Sequence, residues 1–286
     1  MKYAEAHGAP MKVGLLLCQI RPEMGEPERN AETVVKLMGR ADVVVLPEMF
    51  MTGYGAPLEG LEDRVETAVG IVSDACRDMD KAAAVGSPGW TDEGVTNSLL
   101  FLSPDGDSRY DKAHLARFGA YSEDGFTPGM RPALGSYHGV RFGLCICYDV
   151  FFPEVLHGRS LAGSSVNLCC AASGVQSKPF VDKVLPARAL ENVTYLAYVN
   201  NVGPMAGLEM HGCSRGLDPF GRTVAECDGV GTAMMTIDTD ELERSRKERR
   251  HLDDFRRDVE WYRGWLEKSI NSITSSPVRS RGGPAR

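Results

Sequence analysis

Three residue types with complementary chemistry stand at or between the ends of apolar runs. Val43-Val44-Val45-Leu46 ends at Pro47-Glu48, and Phe142-Gly143-Leu144-Cys145-Ile146-Cys147 stops at Tyr148-Asp149. Between them, Tyr110-Asp111-Lys112-Ala113-His114-Leu115 sets a lysine in a mixed polar segment, followed by an acidic loop at Glu123-Asp124. An acid directly after a buried strand lies at the carboxyl end of a sheet, where open α/β folds place their ligand crevices. Cys147 shares that edge. A cysteine nucleophile needs a base to take its proton, and a developing oxyanion needs a positive donor. Cys147, Glu48 and Lys112 supply those three roles. Singly, each has a plain explanation, since Glu and Lys are mostly solvated and a cysteine in an apolar run is mostly core. The combination makes the candidate.

Elements that could position these residues recur along the chain. Strand-like runs occupy Met11–Cys18, Asp42–Leu46, Ala82–Gly86, Asn97–Leu102, Val140–Cys147, Ser165–Cys170, Tyr195–Val199 and Ala233–Ile237. Amphipathic segments lie between several of them: in Asn30–Met38 the residues Ala31, Val34, Val35 and Met38 share one side, and Leu61–Met79 and Val181–Asn192 read similarly. This alternation predicts a layered α/β fold, with some antiparallel pairing around the Pro104-Asp105-Gly106 turn. No internal repeat or Pro/Ser/Gly-rich linker divides the first 240 residues, so residues 11–274 read as a single domain after an N-terminal extension at 1–10. From Asp240 the charges become dense and mixed, with Leu242, Phe255, Trp261, Tyr262 and Trp265 among them. That C-terminal arm, residues 240–270, reads as a solvated surface helix or as a docking arm whose aromatics pack on a second subunit. The Ser-, Pro-, Gly- and Arg-rich end, residues 275–286, is expected to be disordered.

Composition narrows the function classes. With 286 residues, 43% apolar and 25% charged, this is ordinary globular composition. A net charge of −7 argues against a nucleic-acid partner, which would require clustered Lys and Arg. No apolar run approaches the roughly 20 residues of a membrane helix, and Lys12 followed by Val13–Cys18 reads as a first strand rather than a signal peptide. The eight cysteines fall largely inside strand-like runs, which fits a reduced, cytoplasmic protein. Neither Cys145-Ile146-Cys147 nor Cys169-Cys170 has the spacing of a structural zinc site, and no metal is expected. A redox protein using those pairs is a rival reading, although it lacks a Cys-x-x-Cys motif.

Five blocks together resemble the nitrilase superfamily of carbon–nitrogen hydrolases, from Met11 to about Tyr262. They are Leu46-Pro47-Glu48-Met49-Phe50 with Gly53-Tyr54 after it; Tyr110–Leu115; Cys147-Tyr148-Asp149 with Phe152-Pro153-Glu154; Arg188-Ala189-Leu190-Glu191-Asn192; and Asp218-Pro219-Phe220-Gly221. The resemblance implies a four-layer αββα sandwich, at least a homodimer, with no cofactor. It implies hydrolysis of a small amide or N-carbamoyl amine through a thioester. Cys147 would attack the carbonyl, Glu48 would serve as base and then acid, and Lys112 with the Tyr148 backbone N–H would hold the oxyanion. Cys147 matches the family's cysteine, whereas Cys145 lies two residues deeper on the same face of the strand. A second carboxylate is expected beside Lys112. The loop Tyr121–Gly129 supplies it, one residue shorter than the family's pattern, so both Glu123 and Asp124 are candidates. Where members that take carboxylate-bearing substrates often have arginine, this chain has Phe151. With Tyr54 and Ser173 it marks a pocket for a neutral, apolar group. Nitrile hydrolysis by the same set, and a non-catalytic ligand-binding descendant of the fold, are the alternatives.

Overall fold

The computed structural model describes residues 11–117 and 122–275. The expected N-terminal extension and all of the expected tail but Ser275 lie outside the described residues, and Ser275 closes the last helix. In chain order the strands are β1 (Lys12–Gln19), β2 (Val43–Val45), β3 (Ala82–Thr91), β4 (Gly94–Leu102), β5 (Ser108–Asp111), β6 (Leu134–Tyr137), β7 (Val140–Ile146), β8 (Val166–Ala171), β9 (Tyr195–Asn200), β10 (Val202–Met205), β11 (Leu208–His211), β12 (Arg215–Leu217), β13 (Thr223–Glu226) and β14 (Gly231–Asp238). The helices are α1 (Pro27–Met38), α2 (Glu62–Met79), α3 (Pro153–Leu161), α4 (Lys178–Asn192), α5 (Thr239–Glu248), α6 (His251–Arg257) and α7 (Val259–Ser275).

Two six-stranded sheets form, in the orders β14-β1-β2-β3-β4-β5 and β13-β12-β9-β8-β7-β6. Each has a parallel centre, β1-β2-β3 or β7-β8-β9, flanked by antiparallel strands. Side-chain alternation then sorts the residues into layers. Leu15, Leu17, Val43 and Val45 of the first sheet meet Phe142, Leu144, Ile146 and Leu168 of the second in one central core. The opposite face of the first sheet, Leu16, Val44 and Ala83, packs on Ala31, Val34 and Met38 of α1 and Val72 and Cys76 of α2. The outer face of the second sheet, Cys145, Cys169 and Leu196, packs on Leu156 of α3 and Leu185 and Ala189 of α4. The product is the expected αββα sandwich. Strands buried on both faces need apolar residues at every position, which is why β2 is an unbroken valine run.

The eight long apolar runs became β1, β2, β3, β4, β7, β8, β9 and β14. The short strands β5, β6 and β10 to β13, of which β10 and β11 form a two-stranded sheet of their own, and helix α3 were not anticipated. The arm expected as one helix is three, broken at Arg249–Arg250 and Asp258. Leu242 and Leu252 are buried, while Trp261, Trp265 and Leu266 of α7 stay exposed.

Candidate active site

Glu48 sits just past β2, where the carboxyl end of that strand comes up against the end of β8 in the facing sheet. Its N–H donates to the Ala171 carbonyl (3.4 Å) and its own carbonyl accepts from Asn201 Nδ2 (3.0 Å), so the second sheet holds the backbone of a residue supplied by the first. Gly86 of β3 lets this loop lie close. An added Cβ there would stand 2.3 Å from the Pro47 carbonyl oxygen, 2.4 Å from the Met49 nitrogen and 2.7 Å from Glu48 Cα. These are backbone atoms, so Gly86→Ala must push the loop itself. We expect about 1–3 kcal/mol of destabilisation and, because a misplacement near 1 Å costs on the order of 100-fold, a comparable loss of turnover, read by thermal unfolding and by kcat.

Lys112 follows β5 and continues its ladder, its N–H donating to the Asn97 carbonyl at 2.8 Å. Its ammonium is buried and donates to Glu48 Oε1 (2.7 Å) and Glu123 Oε1 (2.8 Å). Asn97 Nδ2 bridges the same two carboxylates, at 2.7 Å to Glu48 and 3.1 Å to Glu123. Glu123 is further held by the Tyr54 hydroxyl (3.1 Å) and by the Ala116 N–H on Oε2 (2.7 Å). Asp124, the other candidate, is on the surface beside Arg117 and Ser122.

The two buried carboxyls differ in environment. Burial pushes Glu48 up, as does the charge of Glu123, and the attraction of Lys112 offsets this only in part, leaving it at about 7. Burial raises Glu123 too, but the Lys112 charge and the hydrogen bonds from Lys112, Ala116 and Tyr54 outweigh it and hold it below the usual range. Burial opposes the Lys112 charge, but Glu48, Cys147 and Glu123 keep the ammonium protonated well above its ordinary value. Glu48 Oε1 is thus pinned by two donors, while Oε2 has no hydrogen-bond partner among the described residues. That leaves an oxygen able to take a proton.

Cys147 is not on the strand with Cys145, as the sequence reading had it. β7 ends at Ile146, and Cys147 opens a short 3-10 turn, Cys147–Phe151, with φ of 47°, in the left-handed region that a residue with a Cβ disfavours. Cys145 is buried against α3 and α4. Asp149 holds the turn: its Oδ2 accepts from the Ile146 N–H (3.2 Å) and the Tyr110 hydroxyl (2.8 Å), and its Oδ1 from the His114 N–H (3.0 Å). One buried carboxylate therefore ties the turn that carries the thiol to the segment that carries Lys112. Burial and the Glu48 charge push the Cys147 thiol well up against the opposing pull of Lys112, so the resting group is a thiol in the field of the Glu48 carboxyl.

A cavity of about 510 Å³ opens on Cys147. Its lining includes the pocket candidates Tyr54, Phe151 and Ser173 and also Tyr148, together with Gln176, Phe180 and Leu208, which the sequence did not single out. None of its lining residues among the described ones is charged. Arg117 and Lys178, the nearest basic residues in sequence, are engaged with Asp124 and Asp182. Asn97, Asn201 and Asp149 were also not picked out as site residues. Their one available signal was a polar residue inside or capping an apolar run.

Comparison with known proteins agrees with this geometry. A family model described as carbon–nitrogen hydrolase matches residues 16–247. An (R)-stereoselective amidase of Pseudomonas sp is 30% identical over 80% of this chain and 84% of its own length. A 2-oxoglutaramate amidase of Bacillus subtilis is 29% identical over 87% of this chain and its whole length. Among solved structures, a mutant of the amidase from Nesterenkonia sp. AN1 in complex with butyramide superposes with a TM-score of 0.72 at 26% identity, covering 89% of this chain and 97% of that one. The sandwich, the order of its motifs and these likenesses agree: the chain belongs to the carbon–nitrogen hydrolase family, within the nitrilase superfamily, and is an amidohydrolase acting on carbon–nitrogen bonds other than peptide bonds.

Proposed function

We propose that the chain hydrolyses small neutral amides through a thioester on Cys147. The observation that carries this is the Lys112 ammonium clamped between Glu48 and Glu123 beside a thiol that opens on an uncharged cavity. Glu48 Oε2 takes the thiol proton as sulfur attacks the carbonyl carbon. Lys112 and the Tyr148 N–H stabilise the oxygen as it gains charge. Collapse breaks the C–N bond, and Glu48 returns the proton to the departing ammonia or amine. Water then attacks the thioester, giving its proton to Glu48, and the acid leaves as the thiol is restored. Glu123 touches no reacting atom in this scheme. It fixes the lysine and keeps its charge from standing alone in a dry site, where isolation would be costly. A homo-oligomer remains part of the reading, supported by the exposed Trp261, Trp265 and Leu266 of α7, and a cytoplasmic location is supported by the eight free cysteines.

The base must be ionised to act, and burial has raised it to about 7. Below that point Glu48 is protonated and silent. We therefore expect kcat/KM to fall about tenfold per pH unit on the acid side of neutrality and to level off above it. A pH profile that stays flat from about pH 5 to 8 would rule out Glu48 as the base.

Names among the relatives point to different substrates: the Nesterenkonia protein is seen with butyramide, whereas a 2-oxoglutaramate amidase is named for a carboxylate-bearing one. The uncharged lining favours the neutral class. A free carboxylate entering it would lose hydration without a partner, which costs roughly 2–7 kcal/mol for even an uncharged polar group. Butyramide should thus exceed succinamic acid in kcat/KM, and Phe151→Arg, by offering a bidentate partner, should narrow the difference. A preference of the unmodified enzyme for the acid would overturn this assignment.

A further inference from the structure

A second cleft, of about 740 Å³, opens between residues 129–134 and α3, and its lining shares no residue with the cavity at Cys147. Arg159 forms part of its wall and is only 7% exposed. The side chain reaches this position because β7 has Gly143 beneath it; an added Cβ there would stand 2.7 Å from Arg159 Cβ. Its Nε donates to the Leu144 carbonyl (3.2 Å), and its guanidinium lies 4.8 Å above the Tyr110 ring. Among the described residues it forms no ion pair. A guanidinium keeps its charge in any protein environment, and four N–H donors remain beyond Nε. A buried cation of this kind calls for an anionic acceptor.

The rest of the cleft indicates what else that acceptor carries. Val155, Ala133, Leu134 and Met130 give apolar walls, and Arg131 is exposed at the rim. Among the described residues Glu154 is the one carboxylate in the lining, five residues before Arg159 on α3. That is about 7.5 Å along the helix axis, so the anionic end of a ligand belongs at Arg159 and away from Glu154. We propose that this cleft is a separate binding site for a small monocarboxylate, its acid group paired with Arg159 and its aliphatic body laid against Val155, Ala133 and Leu134. Tyr110 and His114 also line the cleft, and both bond Asp149. Occupancy is therefore readable at the His114 ring.

The test uses the full chain carrying Cys147→Ala, titrated with hexanoate and followed by calorimetry and by the imidazole resonances of His114. Saturable binding that shifts those resonances is expected, with hexanamide failing to bind there and saturating butyramide failing to displace hexanoate. Arg159→Gln should weaken binding at least tenfold. Gly158→Leu provides an independent check should that variant not fold: nothing lies within 4 Å of a Cβ at this exposed cleft-lining position, and the added side chain fills the cleft. It too should lose binding, at a melting temperature no lower than the parent's, since Leu is a better helix residue than Gly. No saturation by about 10 mM, displacement by butyramide, or undiminished binding to Gly158→Leu would each overturn the proposal.

Discussion

Cys147→Ala and Cys147→Ser are each expected to lose more than about 10⁴-fold in turnover while keeping the fold. Serine retains the shape but not the nucleophile: an alkoxide is far harder to form than a thiolate, and a base raised to about 7 cannot close that gap. Neither change disturbs the turn, because Asp149 grips it through the backbone of Ile146 and through the Lys112 segment. Cys145→Ser is the matched control. That side chain faces α3 and α4, so the substitution should cost about 1–3 kcal/mol of stability for a hydroxyl in an apolar cluster and leave most of the turnover. Steady-state rates on butyramide, with mass detection of an acyl adduct, check both variants. An inactive Cys145 variant beside an active Cys147 variant would reassign the nucleophile.

The second large effect is expected at Lys112. Lys112→Met removes the proposed oxyanion donor, and loss of such a donor typically costs about 100- to 1,000-fold in kcat. It also leaves Glu48 and Glu123 facing each other with their shared cation gone, and breaking a buried ion pair from one side costs about 3–5 kcal/mol. Structure and chemistry can be separated here. Adding Glu123→Gln removes the surplus charge, so the double variant should recover most of the lost melting temperature and almost none of the lost kcat. Recovery of turnover along with stability would show that Lys112 only holds the site together. Loss of kcat at restored stability places it on the reaction coordinate.

Much of this site was legible before folding because its key residues terminate strands. Glu48 and Cys147 follow runs too apolar to be anything but buried, whereas Lys112 lies in a mixed polar segment and stands out only through the Tyr110–Leu115 motif and its combination with the other two. Asn97 shows where that legibility ends. Inside β4 it looks like the polar half of an alternating strand, and only the approach of Glu48, Lys112 and Glu123 turns it into a buried donor shared by two carboxylates. Asp149 is similar, since an acid in a turn is ordinarily solvated, and its three kinds of partner come from segments more than 30 residues apart as well as from its own turn. The short strands β5, β6 and β10 to β13 were missed for a related reason. With three or four residues each, they lack the length for a period to show, and pairing with a neighbour already in place forms them. The left-handed backbone at Cys147 had no sequence signal at all, because nothing in the residue type asks for it.

The division of the site between the two sheets has a consequence for how the enzyme fails. Glu48, Asn97 and Lys112 travel with one half of the sandwich and Cys147 and Asn201 with the other, so neither half carries the whole of the proposed set of reacting groups. Activity is then a gauge of whether the halves are docked. Under rising denaturant, a loosening that parts the facing sheets extinguishes turnover while each sheet still holds its own ladder, and inactivation runs ahead of the loss of circular dichroism.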